Sequence, residues 1–278
     1  MRLYRLDPHL YLEQDGAFHR LGDGISIDSL LALPLDGARE LLSRSWPAVD
    51  MQEQVFQAPI QSQEVWAAGV TYLRSRDARS EEAVDSDPYD RVYTAPRPEL
   101  FFKATPRRVR GPGDRISIRS DSNWDVPEPE LAVVCNSSME VFGYTIGNDV
   151  SSRNIEGENP LYLPQAKVYV GSCSLGPSIA LSWQYDPSNK PIKLNVRRQE
   201  AVVFEAVVST SEMRRSIADL LEYLGRHQTF EFGCVLLTGT GIVPPADFTL
   251  QPQDIVEIEI DGIGLLRNQV ERPPLVVR

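Results

Sequence analysis

The sequence predicts a mainly β chain of the α+β class, with a small N-terminal α+β unit over residues 1–60 and a larger unit over residues 61–278. Three observations carry this expectation. Short apolar or alternating runs bounded by turn residues recur along the chain. Strong helical periodicity occurs in one place only. Near Glu64 the texture changes from leucine-rich pieces to strand-like ones.

The elements follow in order. Leu10–Gln14 and Ala17–Leu21 flank Asp15-Gly16, the dipeptide that suits a tight hairpin turn. Leu30, Leu31 and Leu33, then Leu41 and Leu42, are interrupted by Pro34 and end near Trp46-Pro47, which reads as short helices covering the hairpin. Val65–Val70 is a short apolar strand ending in glycine. From Arg74 to Arg91, ten of eighteen residues are charged. Such a segment cannot lie in a core, and it reads as a solvated connection or as a lid over a site. Leu100–Phe102 is an apolar strand, Arg115–Arg119 alternates, and Ile255–Ile260 alternates almost strictly before Asp261-Gly262. Ile217, Leu220, Leu221 and Leu224 follow helical spacing, with Gly225 placed to stop the helix.

Composition narrows the function. With 28 basic and 39 acidic side chains the net charge is −11, which argues against a nucleic-acid binder and against docking on anionic membranes. No stretch approaches the roughly 20 apolar residues of a membrane span. The N-terminus has no apolar core of a signal peptide. Cys135, Cys173 and Cys234 are scattered and odd in number, as expected of a cytoplasmic protein without a thiolate metal site.

The run Pro127-Glu128-Pro129-Glu130-Leu131-Ala132-Val133-Val134-Cys135 holds the chemistry. Alternation sets Glu128 and Glu130 on one strand face, about 7 Å apart, and the prolines mark an edge or an irregular rim. Asn136-Ser137-Ser138 then turns the chain, and Val141–Asp149 returns antiparallel. Folding near Ser137–Ser138 pairs residues whose numbers sum to about 275 or 276. Glu128 then faces Gly147 or Asn148, and Asp149 lies one step beyond at the same end. Three converging carboxylates suit a hard cation such as Mg²⁺, Mn²⁺ or Ca²⁺; a solvated acidic rim is the other reading. Lys167 reads as a snorkelling surface lysine or, if it lies near the acids, as a proton shuttle or anion clamp. Glu99 shares a strand face with Phe101 and Lys103, and is either a general base in a poorly hydrated pocket or one half of an ordinary ion pair. Thr238-Gly239-Thr240-Gly241 is a turn whose N–H groups and hydroxyls could hold a carboxylate.

Taken in order, these pieces resemble the fumarylacetoacetate hydrolase superfamily over residues 64–272. The markers are Gly69-Val70-Thr71-Tyr72, the Phe-Phe-Lys strand ending at Lys103, Glu128-x-Glu130 and the Asn-Asp-Val-Ser-x-Arg run from Asn148 to Arg153. Lys167, Leu237-Thr238-Gly239-Thr240 and Gly262-Ile263-Gly264-Leu265-Leu266-Arg267-Asn268 complete them. The resemblance implies a mixed β-roll, usually a homodimer, acting on a small-molecule 2-oxo acid, with Mg²⁺ held by Glu128, Glu130 and Asp149. It implies Glu99 and Lys167 as catalytic residues, and Gly69, Val70, Thr71, Lys103, Tyr162, Gly239 and Thr240 as substrate-binding ones.

Carbon–carbon hydrolases of this superfamily commonly carry a histidine just after the Gly-x-x-Tyr turn, paired with a lid glutamate. Here that neighbourhood reads Leu73-Arg74-Ser75-Arg76-Asp77-Ala78, with no histidine. Together with the stretches Arg97–Pro106 and Glu158–Gln165, this is most similar to the branch that dehydrates 2-keto-3-deoxy sugar acids of the D-arabinonate type. The expectation is therefore a Mg²⁺-dependent dehydratase. The alternatives are a carbon–carbon hydrolase or decarboxylase of an acylpyruvate or diketo sugar acid, using Glu81 or Glu82, and a catalytically inactive metal-binding relative.

Overall fold

Asp15 and Gly16 both take left-handed backbone conformations, with φ of 52° and 81°, and so close the first hairpin in the computed structural model. The structure describes residues 1–51, 54–75 and 87–274. The hairpin joins His9–Gln14 to Ala17–Arg20. Ahead of it, Arg2–Leu6 pairs on one side with His9–Gln14 and on the other with Cys173–Leu181. The strands of the N-terminal segment thus continue the sheet of the larger one.

That sheet has eleven strands. Its main path runs Ala48–Val49, Ala17–Arg20, His9–Gln14, Arg2–Leu6, Cys173–Leu181, Val141–Asp149, Pro129–Cys135, Cys234–Leu237, Glu64–Gly69 and Glu99–Ala104, and Val109–Arg110 joins Cys173–Leu181 in parallel. A second sheet of five strands runs Ala201–Ser209, Pro191–Arg198, Ile255–Ile260, Gly264–Glu271 and Arg115–Ser117.

Alternation explains how the layers stack. Leu131, Val133, Cys135 and Ile146 point to one face of the large sheet, where they share a buried core with Ile192, Leu194, Val256 and Ile258 of the small sheet. Ala132, Val134, Leu175, Leu237 and Val65 point to the other face. That face is covered by Ile27, Leu30 and Leu31 of the helix Ile27–Leu31, and by Ala38 and Leu42 of Leu35–Leu42. Pro34 stands at the N-cap of the second of these helices, as its position in the leucine-rich segment predicts. The expected helix Ile217–Gly225 is present, its Ser216 hydroxyl accepting from the Asp219 N–H, with Leu220, Leu221 and Leu224 buried. No described helix is long and apolar enough to cross a membrane.

The hairpin that carries the acids departs from its expected register. The turn pairs Cys135 with Val141, a sum of 276, but from Val134↔Gly143 to Pro129↔Asn148 the sum is 277. Phe142 is the extra residue of a β-bulge between them. The five-residue turn Asn136–Glu140, closed by the Asn136 N–H donating to the Glu140 carbonyl, sets the first register; the bulge corrects it by one. Directly paired residues share a face, so this step matters. In the observed register the Asp149 N–H donates to the Glu128 carbonyl at 2.9 Å, and Asp149 joins the face that carries Glu128 and Glu130.

Candidate active site

Pro129–Cys135 is a central strand, but its proline-bearing start extends past the neighbouring strand Cys234–Leu237, whose pairing stops at Ala132. The prolines therefore lie where a ladder partner is missing on one side, which is how a central strand accommodates them. Glu128, Glu130 and Asp149 meet at this rim. All three are buried, and one oxygen from each lies within 4.8 Å of the others.

Three cations reach the same place. Lys167, the last residue of the short helix Leu163–Lys167, donates from Nζ to Glu128 Oε2 at 2.9 Å and to Asp149 Oδ2 at 3.1 Å. Arg153 Nη2 lies 3.2 Å from Glu128 Oε1. Lys103 is fully buried: it pairs with Asp149 Oδ1 and donates to the Val150 carbonyl at 3.1 Å and the Lys167 carbonyl at 2.6 Å. Ionised, three acids and three bases nearly cancel. Glu130 nonetheless has its pKa held well above the ordinary carboxylate range, first by burial and then by the charges of Asp149 and Glu128, against the pull of Lys167 and of the Gly239 N–H. A hard cation suits this arrangement. The donors are all oxygen, they are buried together, and one oxygen of each lies within 4.8 Å of the others, as oxygen ligands of a hard cation require.

Beside the triad lies a small cleft. Its lining includes Gly69, Val70, Glu99, Glu128, Asp149, Lys167, Gly239 and Thr240, which the sequence had singled out. Gly69 pairs with Glu99 across neighbouring strands, and a Cβ on Gly69 would collide with the Glu99 carboxylate; the missing side chain is what lets Glu99 turn into the cleft. Val70 adopts φ of 54°, a left-handed conformation uncommon for a β-branched residue, at the turn that rims the site. Gly239 combines φ of 89° with a backbone N–H donated to Glu130 Oε2, and a Cβ there would run into the Thr71 hydroxyl.

Three of the expected substrate contacts stand elsewhere. Thr71 is fully buried, its hydroxyl donating to the Thr238 carbonyl at 2.6 Å, so it braces the two turns against each other. Lys103 is fully buried, pairs with Asp149 and stands outside the cleft lining. Tyr162, in the turn Pro160–Tyr162, is 40% exposed and outside the cleft lining. Glu81 and Glu82, with the middle of the charged segment, lie outside the described residues, although Ser75 at its start lines the cleft. Sequence reasoning passed over Arg153 as a site residue, although it ends the Asn148–Arg153 run. It also missed Glu156 and Leu163. Arg153 and Glu156 stand on the short helix Arg153–Glu158 and Leu163 begins the short helix Leu163–Lys167, neither long enough for an apolar period to announce it.

Residues 64–271 match the family described as fumarylacetoacetate (FAA) hydrolase C-terminal, and the chain belongs to that family. Within it, the chain is 46% identical to the probable 2-keto-3-deoxyxylonate dehydratase of Haloferax volcanii, over 92% of this chain and 89% of that one. It is 48% identical to the 2-dehydro-3-deoxy-D-arabinonate dehydratase of Saccharolobus solfataricus, over 77% and 74% respectively. A solved 2-keto-3-deoxy-D-arabinonate dehydratase in complex with magnesium and 2,5-dioxopentanoate superposes with a TM-score of 0.88 at 37% identity, covering 99% of this chain and all of that one.

Proposed function

We propose that this chain is a Mg²⁺-dependent dehydratase of a 2-keto-3-deoxy sugar acid of the D-arabinonate type. The observation that carries the reading is an all-oxygen acidic triad beside a cleft that is lined by a separate carboxylate, Glu99, and an ammonium, Lys167. Relatives named as dehydratases of such acids support it.

Glu128, Glu130 and Asp149 would hold the metal, with Mn²⁺ or Ca²⁺ as alternatives; bound there, it polarises the 2-oxo acid end of the substrate and acidifies its C3 protons. The chain's own residues do the rest. Lys167 donates its protons to two acids and so is placed as a proton donor, which leaves Glu99 as the base. Glu99 takes a proton from C3. The C3–H electron pair forms the C3–C4 double bond as the C4–O bond breaks, and the departing hydroxyl leaves as water with a proton from Lys167. A proton then shifts from C5 to C3, leaving the C4–C5 enol, and the enol O–H proton passes to C4, giving the aldehyde with every carbon retained. Gly69, Val70 and Thr240 orient the substrate along the cleft, with Thr71 bracing the turn. Lys103 and Arg153 hold Asp149 and Glu128 in place.

The reading extends to organisation. Residues 1–60 form the small accessory unit and 61–278 the catalytic one, a division supported by the family match beginning at residue 64. The chain works as a cytoplasmic homodimer. Three buried free thiols suit a reducing compartment, and the strand Ala201–Ser209 at the end of the small sheet leaves Val202, Val203 and Val207 exposed. Light scattering tests the dimer.

The deciding experiment incubates the protein with Mg²⁺, with and without EDTA, and a panel of 2-keto-3-deoxy pentonates, hexonates and acylpyruvates, with products read by NMR. A metal-dependent aldehyde retaining all carbons is the expected result. Pyruvate plus a carboxylic acid would make the chain a carbon–carbon hydrolase, and metal binding without turnover an inactive relative.

A further inference from the structure

Glu128 stands between two prolines, neither of which has an N–H, so its own N–H is the single backbone donor of residues 127–129. The strand Pro129–Cys135 is laddered to Val141–Asp149 as far as Pro129↔Asn148, and Glu128 and Asp149 face each other one step beyond. The Asp149 N–H donates to the Glu128 carbonyl at 2.9 Å, and a regular antiparallel pair would return a bond from the Glu128 N–H to the Asp149 carbonyl. Here both of those groups are engaged by side chains. The Glu128 N–H donates to Asn148 Oδ1 at 3.2 Å, and the Asp149 carbonyl accepts from the Ser151 hydroxyl at 2.9 Å. Asn148 and Ser151 are fully buried, and neither lines the cleft.

These two bonds fix where the main chain of one acid stands relative to that of the other. Glu128 and Asp149 are two of the three acids whose oxygens meet within 4.8 Å, and both side chains spring from this rung. Asn148 is itself held on both sides, paired with Pro129 on one neighbouring strand and with Ser174 on the other. Its Nδ2 is buried with no acceptor among the described residues, a costly place for an amide nitrogen. The side chain therefore contributes through its oxygen, and that oxygen reaches Glu128. Ser151 begins the short strand Ser151–Ser152, which pairs with Asp125–Val126, so its hydroxyl is anchored too. Mg²⁺ demands near-ideal octahedral geometry at roughly 2.0–2.1 Å, whereas Ca²⁺ accepts irregular ligands at roughly 2.3–2.6 Å. A displaced rung costs the smaller ion more.

We infer that Asn148 and Ser151 are positioning residues, which hold the main chain at Glu128 and Asp149 so that the acidic cluster is shaped for a small octahedral cation. This rests on the reading of Glu128, Glu130 and Asp149 as the metal site. Groups that orient metal ligands from behind in this way typically carry about 10–100-fold of metal affinity.

The test titrates the full chain with Mg²⁺ and, separately, with Ca²⁺ by calorimetry, in wild type, Asn148→Leu and Ser151→Ala. Asn148→Leu keeps the side-chain volume and removes the acceptor. Ser151→Ala removes a single oxygen and carries the test if the first variant does not fold. The binding stoichiometry reports the folded fraction, so the Kd values compare folded protein with folded protein. Mg²⁺ affinity should fall by roughly tenfold or more in each folded variant, and the preference for Mg²⁺ over Ca²⁺ by about threefold or more. Affinity close to wild type, or an equal loss for both ions, overturns the inference, because a role in folding alone leaves the ratio unmoved. A wild type that takes Ca²⁺ and not Mg²⁺ overturns it as well. If wild type binds neither ion, the metal reading itself fails. If wild type binds Mg²⁺ and the ratio stays put in the variants, only the positioning role fails.

Discussion

The hairpin Pro129–Asp149 has a carboxylate at each end, and the two are held in opposite ways. Glu140, at the turn, is exposed; its Oε2 accepts from Asn136 Nδ2 at 2.8 Å and from the Leu35 N–H at 3.0 Å, and these donors lower its pKa. Glu130, at the other end, is buried beside two further acids, and its pKa is raised. The turn acid is satisfied by local donors and ties the hairpin to the N-terminal segment. The buried acid is costly in isolation, and that cost is one a bound cation would offset. The same residue type on one supersecondary unit thus serves stability at one end and chemistry at the other.

The comparison breaks most visibly if the buried end is catalytically silent. Asp149→Asn or Glu130→Gln should abolish metal binding in calorimetry and lower turnover by roughly 10³-fold or more. Retained turnover in a folded variant would reduce the triad to an acidic rim. Next comes Glu99→Gln, which should lower kcat by about 10²–10⁴-fold while the metal still binds; a loss of metal affinity instead would assign Glu99 to the cation. Gly69→Ala should mimic part of this effect by pushing the Glu99 carboxylate out of the cleft, and a kcat close to wild type would mean that Glu99 acts from another position.

The two ends should also answer pH with opposite signs. Glu130 has a raised folded pKa, so without metal its contribution to stability falls as pH rises through the interval between its unfolded and folded values. A metal ion must displace its proton, so affinity should climb with pH, as titrations at successive pH values will read. Glu140 has a lowered folded pKa, so its contribution is present above the ordinary carboxylate range and is lost as pH falls through the folded value. The smallest effect belongs to Glu140→Ala, at most about 1 kcal/mol in denaturant unfolding with kcat unchanged.

Local signals made the first hairpin, the helix Ile217–Gly225 and the Glu128–Glu130 alternation legible in the sequence, because turn chemistry and periodicity act over a few residues. The pairing of Arg2–Leu6 with Cys173–Leu181 was not legible, since both strands are merely apolar and nothing in either names its partner. The bulge escaped for a similar reason: Val133, Val134, Val141 and Phe142 are all apolar, and the pattern is the same in either register. Lys103 shows the limit of face reasoning. Alternation placed it with Glu99 and Phe101, which line the cleft, but Lys103 lies farther along the strand, fully buried and outside the lining. Arg153 and Glu156 were hidden by a helix of six residues, too short for a period to show.

The bulge at Phe142 has a genetic consequence. The turn and the site disagree by one residue of chain length, and Phe142 absorbs the difference. As far as strand register is concerned, deleting that codon is silent, because a regular ladder would still bring Asp149 opposite Glu128. Flattening the bulge without shortening the strand brings Asn148 there instead, exchanging an acid for an amide with no substitution at all. Deleting any single codon from Gly143 to Asn148 brings Val150 there, and the cluster loses an acid although all three remain encoded.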